Sequence, residues 1–182
     1  MLSEFEIVPA TSDMLADIFA LEEACFSSPW TRKMLEGELT GNQFAHFLVA
    51  ICRRQSKTKT RPTIIGYHCF WIVFEELRLM NLAVRESMRR RGVGGTLVTA
   101  ALHLGLEHAA TRAVLEVRTS NDAARSLYTH IGFVPIGSRP RYYTNPIEDA
   151  VLMEMNPLVV PRDQRRDRAF VSGGESASTE SL

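Results

Sequence analysis

Asn81-Leu82-Ala83-Val84 followed by Arg89-Arg90-Arg91-Gly92-Val93-Gly94-Gly95-Thr96-Leu97 is the stretch whose residue types and spacing point most directly to chemistry. An apolar run that reads as the end of a strand gives way to a loop with three arginines and three glycines, and then to residues that open a helix. Glycines let the backbone approach a ligand closely, and the first amides of a helix have no intrahelical partner. The aligned peptide dipoles add about half a positive charge at that end. Surrounded by arginines, such a turn suits a phosphate or pyrophosphate. The lysine of a Walker A loop is absent and so is G-x-G-x-x-G, which excludes a P-loop NTPase and a Rossmann dinucleotide site. Taken alone, R-x-x-G-x-G describes a tight turn with solvated arginines equally well.

Other segments resolve that ambiguity. Leu115-Glu116-Val117-Arg118 with Asn121, then Ser126-Leu127-Tyr128 and Gly132-Phe133, follow the loop; Arg139 to Tyr143 comes later and Phe26-Ser27-Ser28-Pro29-Trp30 earlier. Together they resemble the GCN5-related N-acetyltransferase (GNAT) superfamily, whose acetyl-CoA signature is Q/R-x-x-G-x-G/A. Within it they are most similar to the RimI-type ribosomal-protein-alanine N-acetyltransferases, with their L-E-V-R-x-S-N, L-Y-x-x-x-G-F and R-x-Y-Y segments. The similarity runs from about residue 5 to residue 155.

The resemblance implies acetyl-CoA as co-substrate and, as acceptor, the N-terminal amine of a protein, for RimI-type enzymes the N-terminal alanine of a ribosomal protein. Carried over residue by residue, the backbone of Leu82, Ala83 and Val84 would pair with the peptide-like pantetheine arm. Arg90, Arg91, Gly92, Val93, Gly94 and Gly95 would wrap the pyrophosphate through main-chain amides, with Arg89 and Thr96 also in the cofactor site, and Asn121 would hydrogen-bond the cofactor. Glu116 would be the general base and Tyr128 the general acid at the departing sulfur. Phe26, Pro29 and Trp30, with Arg141, Tyr142 and Tyr143, would line the acceptor site.

Those residue types suit the reaction. An amine must lose a proton to attack a thioester, and a glutamate facing a cleft can take it directly or through water. Its reference pKa of ~4.3 implies that a useful base needs burial to raise it. An α-amino group titrates near ~8 and a lysine near ~10.4, so deprotonating lysine at neutral pH costs roughly 3 kcal/mol more, which favours the N-terminal amine. No cysteine lies in these motifs, so direct transfer is expected rather than an acyl-enzyme. The residues also have plainer readings: Glu116 as an edge carboxylate paired with Arg118 or Arg112, Tyr128 as core, Trp30, Tyr142 and Tyr143 as packing. A GNAT enzyme acting on lysine or a small-molecule amine, or an acyl-CoA-binding module without turnover, are the alternatives.

Apolar periodicity supplies the elements that must position these groups. Phe5 to Val8 reads as a strand; Leu15, Ile18, Leu21 and Cys25 fall at helical spacing after a cap at Thr11 or Ser12; Thr31 caps a second helix to about Leu39. Phe44–Cys52, Ile64–Val73 and Leu77–Val84 read as three strands of an antiparallel meander. A helix over Gly94–Ala110, a strand over Ala113–Val117, a helix over Asn121–His130 stopped by Gly132, and strands over Phe133–Ile136 and Ala150–Met155 complete the order. The expected class is α/β in the α+β sense, a GNAT-like mixed, mostly antiparallel twisted sheet flanked by helices.

The 182 residues, 45% of them hydrophobic, suffice for one domain, expected over residues 1–157. After Val160 the chain turns to Arg, Asp, Ser and Gly, so 158–182 is expected to be a disordered tail. Lys plus Arg and Asp plus Glu both total 21, so no overall field draws the protein to nucleic acid or an anionic membrane. Positive charge collects locally in Arg53 to Pro62, a polar insertion with five basic residues that reads as an exposed hairpin loop. Cys25, Cys52 and Cys69 form no C-x-x-C pair, and His46, His68, His103, His108 and His130 show no ligand spacing, so neither disulfide frame nor metal site is expected. The absence of a leader-like or membrane-spanning apolar run completes the expectation of a cytoplasmic monomer.

Overall fold

The computed structural model describes residues 5–52 and 62–161. Strands β1 (Phe5–Pro9), β2 (Ala45–Cys52), β3 (Thr63–Val73), β4 (Glu76–Val84), β5 (Arg112–Arg118), β6 (Val134–Thr144) and β7 (Ile147–Met155) alternate with helices α1 (Leu15–Cys25), α2 (Arg32–Gly41), α3 (Val93–Glu107) and α4 (Asp122–Ile131). This is the expected order of elements. The sheet runs β1-β2-β3-β4-β5-β7-β6, and every neighbouring pair is antiparallel except β4–β5. The basic insertion lies between two paired strands, Cys52 opposite Thr63, but residues 53–61 and 162–182 fall outside the described residues.

Successive side chains of a strand point to opposite faces, and β2 divides its apolar residues accordingly. Leu48 and Ala50 join the core under α3 and α4 with Leu97, Val98, Leu102, Leu115, Val117, Phe133 and Met153. Phe47, Val49 and Ile51 join the core under α1 and α2 with Leu15, Ile18, Leu21, Leu35 and Tyr67. Two apolar layers therefore sandwich one sheet.

The caps follow their residues with one exception. Thr31 Oγ1 accepts from the Met34 amide at 3.2 Å, Asn121 Oδ1 from the Ala124 amide at 3.1 Å, and Gly132 ends α4 at φ 118°. Before α1 the chain makes a short 3₁₀ turn, Ser12–Met14, and the Thr11 hydroxyl donates to Asp13 instead of capping a helix amide. Two further expectations need correction. Leu158 is buried under α3 and its amide donates to Thr111 O at 2.7 Å, so the packed chain passes the expected limit at 157. β6 does not stop at Ile136 but continues through Arg139–Tyr143, with a register shift between Arg139 and Tyr143 and Arg141 at φ 53°. Pro140 lacks an amide to donate, and a bulged edge strand accommodates it.

His68 on β3 is wholly buried, and its Nε2 is the one fully buried side-chain polar atom without a partner among the described residues. Burial pushes its pKa down to about 4 from 6.5, so the folded protein holds it neutral while the unfolded chain protonates it below 6.5. Stability from this group is complete above that pH and is lost as pH falls towards 4. Between pH 7 and 4.5 the wild type should lose about 2 kcal/mol more stability than His68→Leu, measured from urea unfolding midpoints. Parallel losses in the two proteins would show that His68 does not set acid sensitivity.

Candidate active site

The only parallel pair in the described sheet separates early. β4 and β5 pair from Glu76↔Arg112 to Leu79↔Leu115, after which β4 runs on to Val84 and β5 to Arg118 without pairing. On its other edge β4 stays with β3, but His68 pairs with Leu82 and Phe70 with Leu79, so Met80 and Asn81 form a bulge opposite Cys69. The bulge turns β4 away from β5. A V-shaped gap results, with the backbone of Leu82, Ala83 and Val84 along one side, as a peptide-like arm would require. The Val84 carbonyl is already an acceptor for Arg89 Nε at 3.1 Å and for the Cys25 thiol at 3.7 Å. Arg89 is thus folded back onto the strand end.

β4 leads into the glycine-rich turn. Arg90 and Gly92 adopt positive φ, 60° and 84°, and α3 begins at Val93. Gly92 O accepts both the Thr96 amide and the Thr96 hydroxyl at 3.0 Å, which spends that hydroxyl inside the helix. Val93 buries its side chain in the core, so only its backbone can serve a ligand. No acidic residue stands in the first turn of α3, and Arg90 and Arg91 are exposed beside it. This donor set of helix amides and guanidiniums fits a pyrophosphate. Asn121 commits its Oδ1 to capping α4.

Glu116 lies just past the last β4–β5 pair, on the α1/α2 face of β5, since Leu115 and Val117 fill the opposite core. Its side chain is 15% exposed and ion-pairs with Arg139 at 3.3 Å and Arg78 at 3.9 Å. The simpler partners expected from sequence are engaged elsewhere: Arg118 with Glu148, Arg112 with Glu76 and Glu154. No described group donates a hydrogen bond to the Glu116 carboxylate. Tyr143 donates to the Glu116 carbonyl at 3.4 Å, and Tyr142 packs edge-on against Tyr143. Burial, then the neighbouring Tyr142, pushes the Tyr143 phenol up to about 12. Arg141, exposed at its positive φ, is held through its amide by Asp149 Oδ1 at 2.7 Å.

Tyr128 is 6% exposed in the α3/α4 core, edge-on to Phe133. Burial raises its phenol well above the ordinary value, so it stays protonated. Its hydroxyl has no hydrogen-bond partner among the described residues. Core packing and an available hydroxyl coexist in one residue.

After α1 the chain passes Phe26 and Trp30, both half-buried on the α1/α2 core, and the exposed Pro29. The anchor of this loop is a residue that the sequence reading missed. Glu22 is completely buried; its Oε1 accepts from the Trp30 amide at 2.8 Å and from Asn81 Nδ2 at 3.0 Å, and its Oε2 accepts from the Tyr67 hydroxyl. It ties the loop to the β4 bulge. A signal was present, because Glu22 falls at i+4 from Ile18 and i+7 from Leu15, on the apolar stripe of α1.

Comparison with known proteins agrees with this geometry. The model of the Acetyltransferase (GNAT) family matches residues 15–133. A Bacillus subtilis (strain 168) protein is 36% identical over 136 residues, 75% of this chain and 85% of the relative; its name assigns ribosomal protein bS18-alanine N-acetyltransferase activity provisionally. The ribosomal protein bS18-alanine N-acetyltransferase of Haemophilus ducreyi is 31% identical, covering 76% of this chain and 90% of its own. Among solved structures, the Escherichia coli ribosomal-protein-S18-alanine N-acetyltransferase shares the fold at TM-score 0.72 and 23% identity, over 88% of this chain and 98% of that one. Arabidopsis thaliana NAA60 in complex with acetyl-CoA superposes at TM-score 0.75 with 15% identity, over 84% and 98% of the two chains. The parted strands, the glycine-rich turn and these matches together place the chain in the GNAT family, as an N-acetyltransferase.

Proposed function

We propose that the protein transfers acetyl from acetyl-CoA to the N-terminal amine of a protein, with the N-terminal alanine of a ribosomal protein as the favoured acceptor, and that Glu116 and Tyr128 are the base and acid. The observation that carries this reading is the state of Glu116: a carboxylate beside the gap between β4 and β5, ion-paired to Arg78 and Arg139 but hydrogen-bonded by no described group. Its acceptor capacity is unspent. The names of the relatives support the acceptor class.

Acetyl-CoA supplies the thioester whose carbonyl carbon the amine attacks. Helix amides at Val93–Gly95 and the exposed Arg90 and Arg91 bind its phosphates, and the free edge of Leu82–Val84 orients its amide-bearing arm. On the α1/α2 face Glu116 accepts the proton that the amine loses, directly or through water. Tyr128, kept protonated by burial, offers its O–H to the sulfur as the C–S bond breaks. Arg78 and Arg139 hold the Glu116 carboxylate beside the acceptor. Residues 1–157, extended by the packed Leu158, form the catalytic unit.

The decisive experiment is mass spectrometry of peptides that carry both an N-terminal alanine and an internal lysine after incubation with acetyl-CoA. Acetyl should appear on the N-terminal residue; acetyl on the lysine would replace this reading with the lysine-directed one, and cofactor binding without transfer would replace it with a binding module. Glu116→Gln should lower kcat/KM by about 100-fold or more with the dissociation constant for acetyl-CoA unchanged. A retained rate would remove Glu116 as base. Tyr128→Phe should lower kcat by roughly tenfold or more at constant peptide KM, and undiminished turnover would remove Tyr128 as acid.

A further inference from the structure

The loop Phe26–Trp30 and the turn between β6 and β7 are far apart in sequence, yet they are bonded to each other. Ser27 and Ser28 Oγ donate to Asn145 O at 3.0 and 3.3 Å, and Asn145 Nδ2 donates back to Ser27 O at 3.4 Å. The same Asn145 carbonyl accepts from Arg118 Nη2 at 2.8 Å. Arg118 Nη1 donates to Pro146 O and to Glu148 Oε2, each at 3.1 Å, and its guanidinium lies over the Tyr143 ring, 4.1 Å from the centroid. Tyr143 in turn donates to the Glu116 carbonyl. Glu148 is itself fixed by the Ser120 amide, which donates to its Oε1.

Arg118 is two residues from Glu116 on the same face of β5, so this arrangement reaches from the backbone carbonyl of Glu116 to both flanking segments. One rigid fork binds two carbonyls, a carboxylate and an aromatic face, a task for which lysine's single ammonium is no substitute. We infer that Arg118 is a positioning residue for the acceptor: it holds the Asn145–Pro146 turn against Ser27 and Ser28, and stands Tyr143 beside Glu116, so that the two walls of the acceptor groove form one latched unit. This rests on the reading of that face as the acceptor side. The glycine-rich turn is untouched by the latch, so the effect belongs to the acceptor and not to acetyl-CoA.

The test compares Arg118→Lys, the double variant Ser27→Ala/Ser28→Ala, and the three changes combined, in the full chain. Steady-state kinetics with an N-terminal-alanine peptide give KM and kcat, and calorimetry gives the dissociation constant for acetyl-CoA. Arg118→Lys should raise peptide KM by about tenfold with kcat changed by less than about threefold and acetyl-CoA affinity within about twofold. The serine pair should raise KM about threefold, and the combined variant should be no worse than Arg118→Lys, because both act through Asn145. A peptide KM within about twofold of wild type in Arg118→Lys, acetyl-CoA affinity falling in step with KM, or effects that multiply would each overturn the inference. If Arg118→Lys does not fold, the exposed serine pair decides alone, and an unchanged KM there overturns it. Failure of the functional reading is separately visible, since the wild type would then acetylate no N-terminal amine, and the inference would fall with it.

Discussion

The early separation of one parallel strand pair is the constraint on which the rest of the site depends. A sheet that pairs all its backbone groups leaves no room for a ligand, and a sheet that buries unpaired ones loses about 1–3 kcal/mol for each. This fold resolves the conflict by keeping each diverging strand paired on its outer edge. β4 past Leu79 remains with β3, and β5 past Leu115 remains with β7 through Glu116↔Leu152, Val117↔Val151 and Arg118↔Ala150. The gap is therefore built into the register and the Met80–Asn81 bulge, not left for a ligand to open. Its inner edges present amides and carbonyls in the geometry of a missing strand, the complement of a ligand arm that carries amides of its own.

The gap also divides the labour between the two faces. The first turn of α3 packs on the end of β4, with Gly94 against Val84 and Leu82, so its free amides lie beside the gap, while the body of the helix fills the core on that face. On the other face, strand alternation brings Glu116 and Arg118 out from under the α3/α4 core and into the company of Arg78, Arg139 and Tyr143. Had β5 slipped by one residue, Leu115 and Val117 would face the α1/α2 side and the carboxylate would be buried in hydrocarbon. The apolar packing of β5 thus fixes the position of its chemistry.

How far the sequence disclosed this depended on whether a residue's role was local. The meander β2–β3–β4 was legible because its apolar runs are long, and α4 because Asn121 and Gly132 bracket it with a cap and a left-handed stop. β6 was legible only to Ile136: from Gly137 on it holds Pro140, Arg139 and Arg141, is exposed on both faces through most of its length and is interrupted by a bulge, so neither propensity nor alternation marks it as strand. Pairing with β7 makes it one. The glycine-rich turn itself was visible in its glycines and arginines, but the diversion of Arg89 to the Val84 carbonyl was not, because it depends on how the loop folds back onto the strand end. The plainer reading of Glu116, an edge carboxylate paired with Arg118 or Arg112, does not hold, because its ion-pair partners Arg78 and Arg139 come from other strands.

Two carboxylates on the α1/α2 side differ in environment, not in residue type: one is spent on the fold and the other is held only by charge. Glu22 is fully buried and accepts from three donors, the Trp30 amide, Asn81 and Tyr67. Removing a carboxylate from water costs several kcal/mol, which hydrogen bonds of this kind offset, and the loss of any one of them would leave a buried charge short of partners. Such a group gains little by exchanging a proton with a substrate, because every donor it has is needed where it is. Its contribution is geometric: it binds the end of α1, the start of the loop at Trp30 and the β4 bulge into one piece. Glu116 is nearly as sheltered but is bounded by guanidiniums that attract it without saturating its oxygens. A carboxylate held in place by charge, with lone pairs still free, can accept a proton without dismantling the structure that holds it, and the fold supplies that condition at the one point where the two strands part.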